Sequence, residues 1–168
     1  MRAFPLTRRA ALAGLGALAL SPVAVRGALA QPGVRFRRIV VDVSPLRASA
    51  GDPTAAWVEQ ALPGALAQAL GAYIAPGDRN GATLVAQIDY LYLGPNTGPG
   101  LFRSSQDTIN GTLLVKGPRG VAAKVPIRAI TSYYPSPVDQ PMRVESNHWR
   151  VIALAQAFAG WAPRELGL

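Results

Sequence analysis

The chain of 168 residues has no cysteine, one histidine and two lysines. Without Cys there is no disulfide scaffold, no thiolate metal site and no Cys nucleophile. Nor is there a Cys behind the first thirty residues to carry a bacterial lipid anchor. A single His excludes a multi-His metal centre within one chain. Charged residues are scarce at 15%, while apolar residues make up 49%. That apolar fraction is ordinary for a folded domain and argues against wholesale disorder. Long hydrophobic runs are also missing. The longest uncharged apolar stretch, Ala10 to Val25, covers 16 residues and contains Gly14, Gly16 and Pro22. A spanning helix needs roughly 20 residues.

The residues present are basic in excess. Seventeen Lys and Arg stand against nine Asp and Glu, a formal net charge of +8. Such an excess invites a nucleic-acid reading, but its position speaks against one. Arg2, Arg8, Arg9 and Arg26 lie in the first thirty residues, which hold no acidic side chain. From Gln31 onward the balance is 13 basic against 9 acidic groups, a charge of +4. No recognisable nucleic-acid module accompanies it, so no nucleic-acid partner is expected.

The first thirty residues have the three-part plan of a secretory signal: a basic start, an Ala/Leu-rich core and small residues before a cut. Ala28 and Ala30 occupy the two positions a signal peptidase reads, which places cleavage after Ala30. Thr7-Arg8-Arg9-Ala10-Ala11-Leu12 resembles the twin-arginine export motif, with Arg8 and Arg9 as the pair and Leu12 suitably apolar. Ala11 replaces the usual Phe. The glycine-weakened core and Arg26 before the cut also resemble twin-arginine signals. The expected layout is a signal over 1–30 and a single domain over 31–168. An Ala/Arg-rich composition with only Lys116 and Lys124 points to a GC-rich Gram-negative bacterium, and hence to the periplasm.

The remaining 138 residues suit one core. Alternating β-branched residues predict a strand from Arg35 to Val43, ended by Ser44-Pro45. Asp52-Pro53 predicts a helix start, Asp52 as N-cap and Pro53 at the first helical position. Val58, Leu62, Leu66, Leu70 and Tyr73 give that helix one apolar face, with Pro63-Gly64 expected to kink or divide it. Ala82 to Leu93 reads as a strand with Leu84, Ala86, Ile88, Tyr90 and Tyr92 on one face. Asp107 to Lys116 and Val121 to Tyr133 read as a hairpin across Gly117-Pro118-Arg119-Gly120. A last helix starts at Ser146 or Asn147 and runs to about Trp161. Its stripe is Val151, Leu154, Ala155, Phe158 and Trp161 or Ala162. The order β-α-β-β-β-α predicts an α+β two-layer sandwich, with a four-stranded, mostly antiparallel sheet and two helices on one face.

No catalytic constellation is complete, and nothing in the sequence calls for a metal or cofactor. His148 lacks a Ser-centred elbow and an obvious orienting carboxylate. Paired with Asp89 or Asp107 it would be the enzymatic alternative. Gly94 to Gly100 lacks the phosphate-loop pattern, and Pro95 and Pro99 remove two backbone donors. Leu101-Phe102-Arg103, beside that loop, is a candidate partner contact. Arg35, Arg37 and Arg38 form, with Arg47, the densest basic group after the signal. Alternation would put Arg35 and Arg37 on one face and Arg38 on the other. They are a candidate contact for an anionic lipid surface. The plan of a signal followed by this element order resembles small periplasmic accessory proteins of envelope assembly, such as the lipopolysaccharide-assembly lipoprotein. The resemblance covers the order of elements only and transfers no functional residue. It implies a non-catalytic accessory or binding protein of the envelope.

Overall fold

The computed structural model describes residues 34–95, 105–133 and 143–168. Arg8, Arg9, Ala28 and Ala30, read as parts of a signal, lie outside this range, as do Leu101, Phe102 and Arg103. The elements in order are β1 (Phe36–Asp42), α1 (Ser44–Ala50), α2 (Thr54–Ala69), a 3-10 turn (Gly71–Tyr73), β2 (Ala82–Tyr92), β3 (Ser105–Gly117), β4 (Gly120–Tyr133) and α3 (Arg143–Glu165). The four strands form one sheet in sequence order. β1 and β2 are parallel, because helices cross over between them. β2, β3 and β4 are joined antiparallel. This is the α+β, mostly antiparallel arrangement the sequence predicts.

One hydrophobic cluster lies between helices and sheet. Leu62 and Leu66 of α2, with Leu154 and Phe158 of α3, meet Leu84, Ile88, Ile109 and Leu113 of the sheet. Each such side chain contributes about 1.5–3 kcal/mol by leaving water. Val151, Leu154, Ala155, Phe158 and Ala162 form the buried stripe of α3, while Trp161 turns outward.

Four local readings differ from the structure. Ser44-Pro45 ends β1 but also opens α1, a third helix, since Pro fits its first turn. The Asp42 carboxylate accepts the Ser44 N–H at 3.0 Å, and Leu46 reaches the core. Asp52 does not cap α2: Pro53 occupies that position, and the Asp52 carboxylate faces Arg47 at 3.4 Å. Pro63 leaves α2 undivided. Both Pro63 and Glu59, four residues earlier, are exposed, so the carbonyl that loses its donor meets water. α3 begins at Arg143, earlier than Ser146.

Two register shifts matter more. The β1–β2 register shifts between Phe36 and Arg38, and the β2–β3 register between Ile88 and Tyr90. Arg37 and Asp89 are therefore bulge residues. A bulge flips the side-chain alternation beyond it. Leu84, Ala86 and Ile88 point to the core as expected. Beyond Asp89 it is Leu91 and Leu93 that pack there, and Tyr90 and Tyr92 that face out. The expectation that all five alternating residues share one face is therefore corrected at Tyr90 and Tyr92.

Candidate functional site

The sheet has a second face, away from the helices. Strand pairing places on it Arg38, Val40 and Asp42 of β1, opposite Thr83, Val85 and Gln87 of β2. Tyr90 and Tyr92 follow beyond the bulge, opposite Asn110 and Thr108 of β3. Lys116 and Leu114 of β3 share this side, as do Lys124, Pro126, Arg128 and Ile130 of β4. Val85, at 8% exposure, is the one buried apolar residue of the described chain outside the core cluster, which fits its place here. Tyr90, Tyr92 and Ile130 are 47, 46 and 48% exposed. Asn110, between Tyr90 and Arg128, has a buried Oδ1 without a hydrogen-bond partner.

Charge gathers on this side. Both lysines of the chain, Lys116 and Lys124, lie here and are exposed with Arg38 and Arg128. Arg37, at the bulge, donates from Nε to Thr83 Oγ1 at 3.5 Å, so it joins Arg38 on this side. Arg35 does not. It donates to the Ala72 carbonyl at 2.8 Å, beside the 3-10 turn. The structure thus groups Arg37 with Arg38 and separates Arg35, the reverse of simple alternation. The bulge brings Arg37 to the side of Arg38, and the bond to Ala72 holds Arg35, which precedes β1, away from them. Asp42 and Asp89 are the acidic residues nearest this face. The Asp42 carboxyl is held below the usual carboxylate range, first by the Ser44 backbone N–H and then by the Ser44 hydroxyl; Lys116 across the sheet adds to this.

On the helix side lies a buried ion pair. Arg150 of α3 and Asp107 of β3 have side chains 4% and 1% exposed. Arg150 Nε donates to Asp107 Oδ2 at 2.8 Å, and Nη2 donates to Asp107 Oδ1. Nη2 also donates to the Gly94 carbonyl at 2.7 Å, and the Gly94 N–H donates to Asp107 Oδ1 at 2.9 Å. Nη1 reaches Asn147 Oδ1 at 3.2 Å. The clasp ties the chain just after β2 and the start of β3 to α3. Its bidentate form and added backbone bonds offset part of the desolvation of two charges. The sequence held a signal for it that the motif reading missed. Asp107 shares the parity of Ile109, Leu113 and Val115, and a carboxylate on an apolar face needs a cation.

This clasp removes Asp107 from the acid–base role considered for it with His148. Both Asp107 oxygens are engaged by Arg150 and Gly94. The His148 ring instead packs at 5.3 Å between centroids on Trp57 of α2, and at 6.5 Å on Trp149. No hydrogen bond joins His148 to Asp89 or Asp107 among the described residues. Asp89 sits exposed in the β2 bulge. The described residues contain no group of three His, Cys, Asp or Glu that could hold a metal ion. A cleft of about 300 Å³ at the β4 edge is lined by Pro126, Ile127, Arg128, Trp161 and Glu165. Arg164 lies over the Trp161 ring, 5.2 Å from its centroid.

No family model and no curated protein matches the chain. Solved structures do. A minor lipoprotein from Acinetobacter baumannii is similar at 11% identity and a TM-score of 0.44, over 77% of this chain and 94% of that one. A Caulobacter crescentus CB15 chain, described as a candidate lipoprotein, is similar at 11% identity and a TM-score of 0.45. That match covers 76% of this chain and 86% of the other. These are likenesses of architecture, and no residue or role is carried over from them. Among the described residues, no helix is long and apolar enough to cross a membrane.

Proposed function

We propose that the chain is an exported, non-catalytic accessory protein of the Gram-negative envelope that works as a binding module. The reading of export rests on the signal pattern around Arg8, Arg9, Ala28 and Ala30. The reading of binding rests on one observation: the sheet face away from the helices carries Tyr90, Tyr92 and Ile130 exposed, beside five basic side chains. Aromatic and basic residues side by side are the composition of recognition surfaces rather than of bare solvated sheet. The enzymatic alternative loses Asp107 to Arg150, and among the described residues no hydrogen bond joins His148 to Asp89.

A photo-crosslinking residue at Tyr92 tests the face. The exported protein should yield adducts from Tyr92 and none from Gln68, on the solvent side of α2. Equal adducts from both positions, or adducts from Gln68 alone, would refute binding through the sheet. Processing is tested by the N-terminus of the protein in a periplasmic fraction, expected at Gln31. An unprocessed cytoplasmic product would refute export.

A further inference from the structure

We propose that the open sheet face docks the protein flat onto an anionic lipid surface. This rests on the reading of that face as the binding surface, and it names the partner's class. The argument starts from how unevenly charge is distributed. Arg37 and Arg38 lie on β1, Lys116 on β3, and Lys124 and Arg128 on β4, so basic groups span the sheet from edge to edge. Among the described residues, Asp42 and Asp89 are the acidic groups that oppose them. On the helical side the exposed charges are of mixed sign, Arg47 with Asp52 and Glu59, and Arg164 beside Glu165, and they leave long uncharged stretches between them. After Glu59 the helix α2 carries no ionisable side chain to its end at Ala69. Between Arg150, which is buried in the clasp, and Arg164 the helix α3 carries none.

A molecule with an excess of cations on one side and charges of mixed sign on the other is oriented by a negative plane, and the basic side turns toward it. The spread of the cations favours a plane over a strand-like acidic peptide. A peptide paired along one edge would meet β1 or β4 cations but not both, since two strands lie between them. Lys and Arg stems suit such a surface, because they keep the charged end extended while the stem lies on apolar neighbours. Tyr90 and Tyr92 stand at one end of the same face and are suited to the headgroup level, where amphipathic rings accumulate. The sequence grouping of Arg35 with Arg37 and Arg38 is replaced here. Arg35 is turned to Ala72, and Lys116, Lys124 and Arg128 take its place.

The test uses protein purified after export and vesicles of phosphatidylethanolamine with or without phosphatidylglycerol. The protein should sediment with the phosphatidylglycerol vesicles and not with the others. Raising salt from about 50 mM to about 500 mM should release it, as the screening length shrinks. The double variant Lys124→Glu/Arg128→Glu should weaken partitioning by at least about tenfold. Arg164→Glu, which lies off the face, should change it less than about threefold. Circular dichroism confirms that each variant is folded. Equal losses in both variants would mean that net charge alone binds, which overturns the proposal. So would equal binding to both vesicle types. Binding of polyglutamate that is lost in the double variant, with no vesicle binding, would overturn the lipid partner while leaving the face itself standing.

Discussion

At the scale of single residues, the Arg150–Asp107 contact carries the largest expected consequence. Removing one partner leaves a charge buried without its counter-ion, at a cost of about 3–5 kcal/mol. That is a large share of the roughly 5–15 kcal/mol that holds a domain together. Arg150→Met should therefore lower the urea midpoint sharply. Asp107→Leu/Arg150→Met together should cost less than the sum of the two single changes, because no charge is then stranded; fully additive losses would contradict the account. Asp42 makes a smaller, pH-dependent contribution. Its carboxyl titrates below the ordinary value near 3.9, so the folded state favours the carboxylate. That contribution is complete at neutral pH and is lost as pH falls through the folded value. Asp42→Asn keeps the acceptor for Ser44 and removes the charge. The stability gap between the two proteins should be constant from neutral pH to about pH 5 and close below about pH 4. A gap that widens in acid would contradict the assignment. The Arg47 guanidinium, exposed and raised above its ordinary pKa by Glu59 first and Asp52 second, belongs to a surface cluster from which little stability is expected.

At the scale of elements, the strands and the long helices were legible because their periodicities are strong. Leu84, Ala86 and Ile88 alternate cleanly, and Val151, Leu154, Ala155 and Phe158 return every turn. The departures came where one residue shifts the phase of everything after it. Nothing in Gln87-Ile88-Asp89-Tyr90 marks Asp89 as unpaired, yet its bulge decides that the two tyrosines are surface residues. Its partner strand offers a physical reason. Gly111 lies opposite Ile88, and a Cβ there would sit 2.5 Å from the Gln87 carbonyl oxygen and 3.2 Å from Phe158. The strands and α3 approach so closely only because that side chain is missing. Gly111→Ala should destabilise by about 1–3 kcal/mol in urea unfolding, since backbone must move to admit the methyl group. No change in stability would show the approach to be looser than described. The short α1 escaped notice for another reason. Seven residues with one buried side chain, Leu46, carry too little pattern to rise above a strand ending.

At the scale of the whole molecule, the sequence showed a charge total but not its distribution. The +4 carried from Gln31 onward describes a mildly basic domain. The fold turns that total into a sided molecule, with basic groups across the sheet and a helical surface of mixed, sparse charge behind it. The residues responsible, Lys116, Lys124 and Arg128, lie far along the chain from Arg37 and Arg38. No local motif unites them; only the order of strands does. The candidate site was therefore half legible: the Arg37-Arg38 pair from its density, the rest only from pairing. The charge distribution also sets how binding should respond to conditions. A contact made by exposed cations weakens steeply with salt, whereas one made by Tyr90, Tyr92 and Ile130 alone would not.

The clasp has a consequence for the order of events during synthesis. Asp107 and Gly94 leave the ribosome well before Arg150, which arrives with the last helix. Until that helix emerges, the start of β3 holds a carboxylate facing an apolar layer with nothing to neutralise it. Closing the sheet at that stage would leave this carboxylate desolvated, so its pairing favours closure with α3 in place. The element that supplies the counter-ion is one made after all four strands of the sheet.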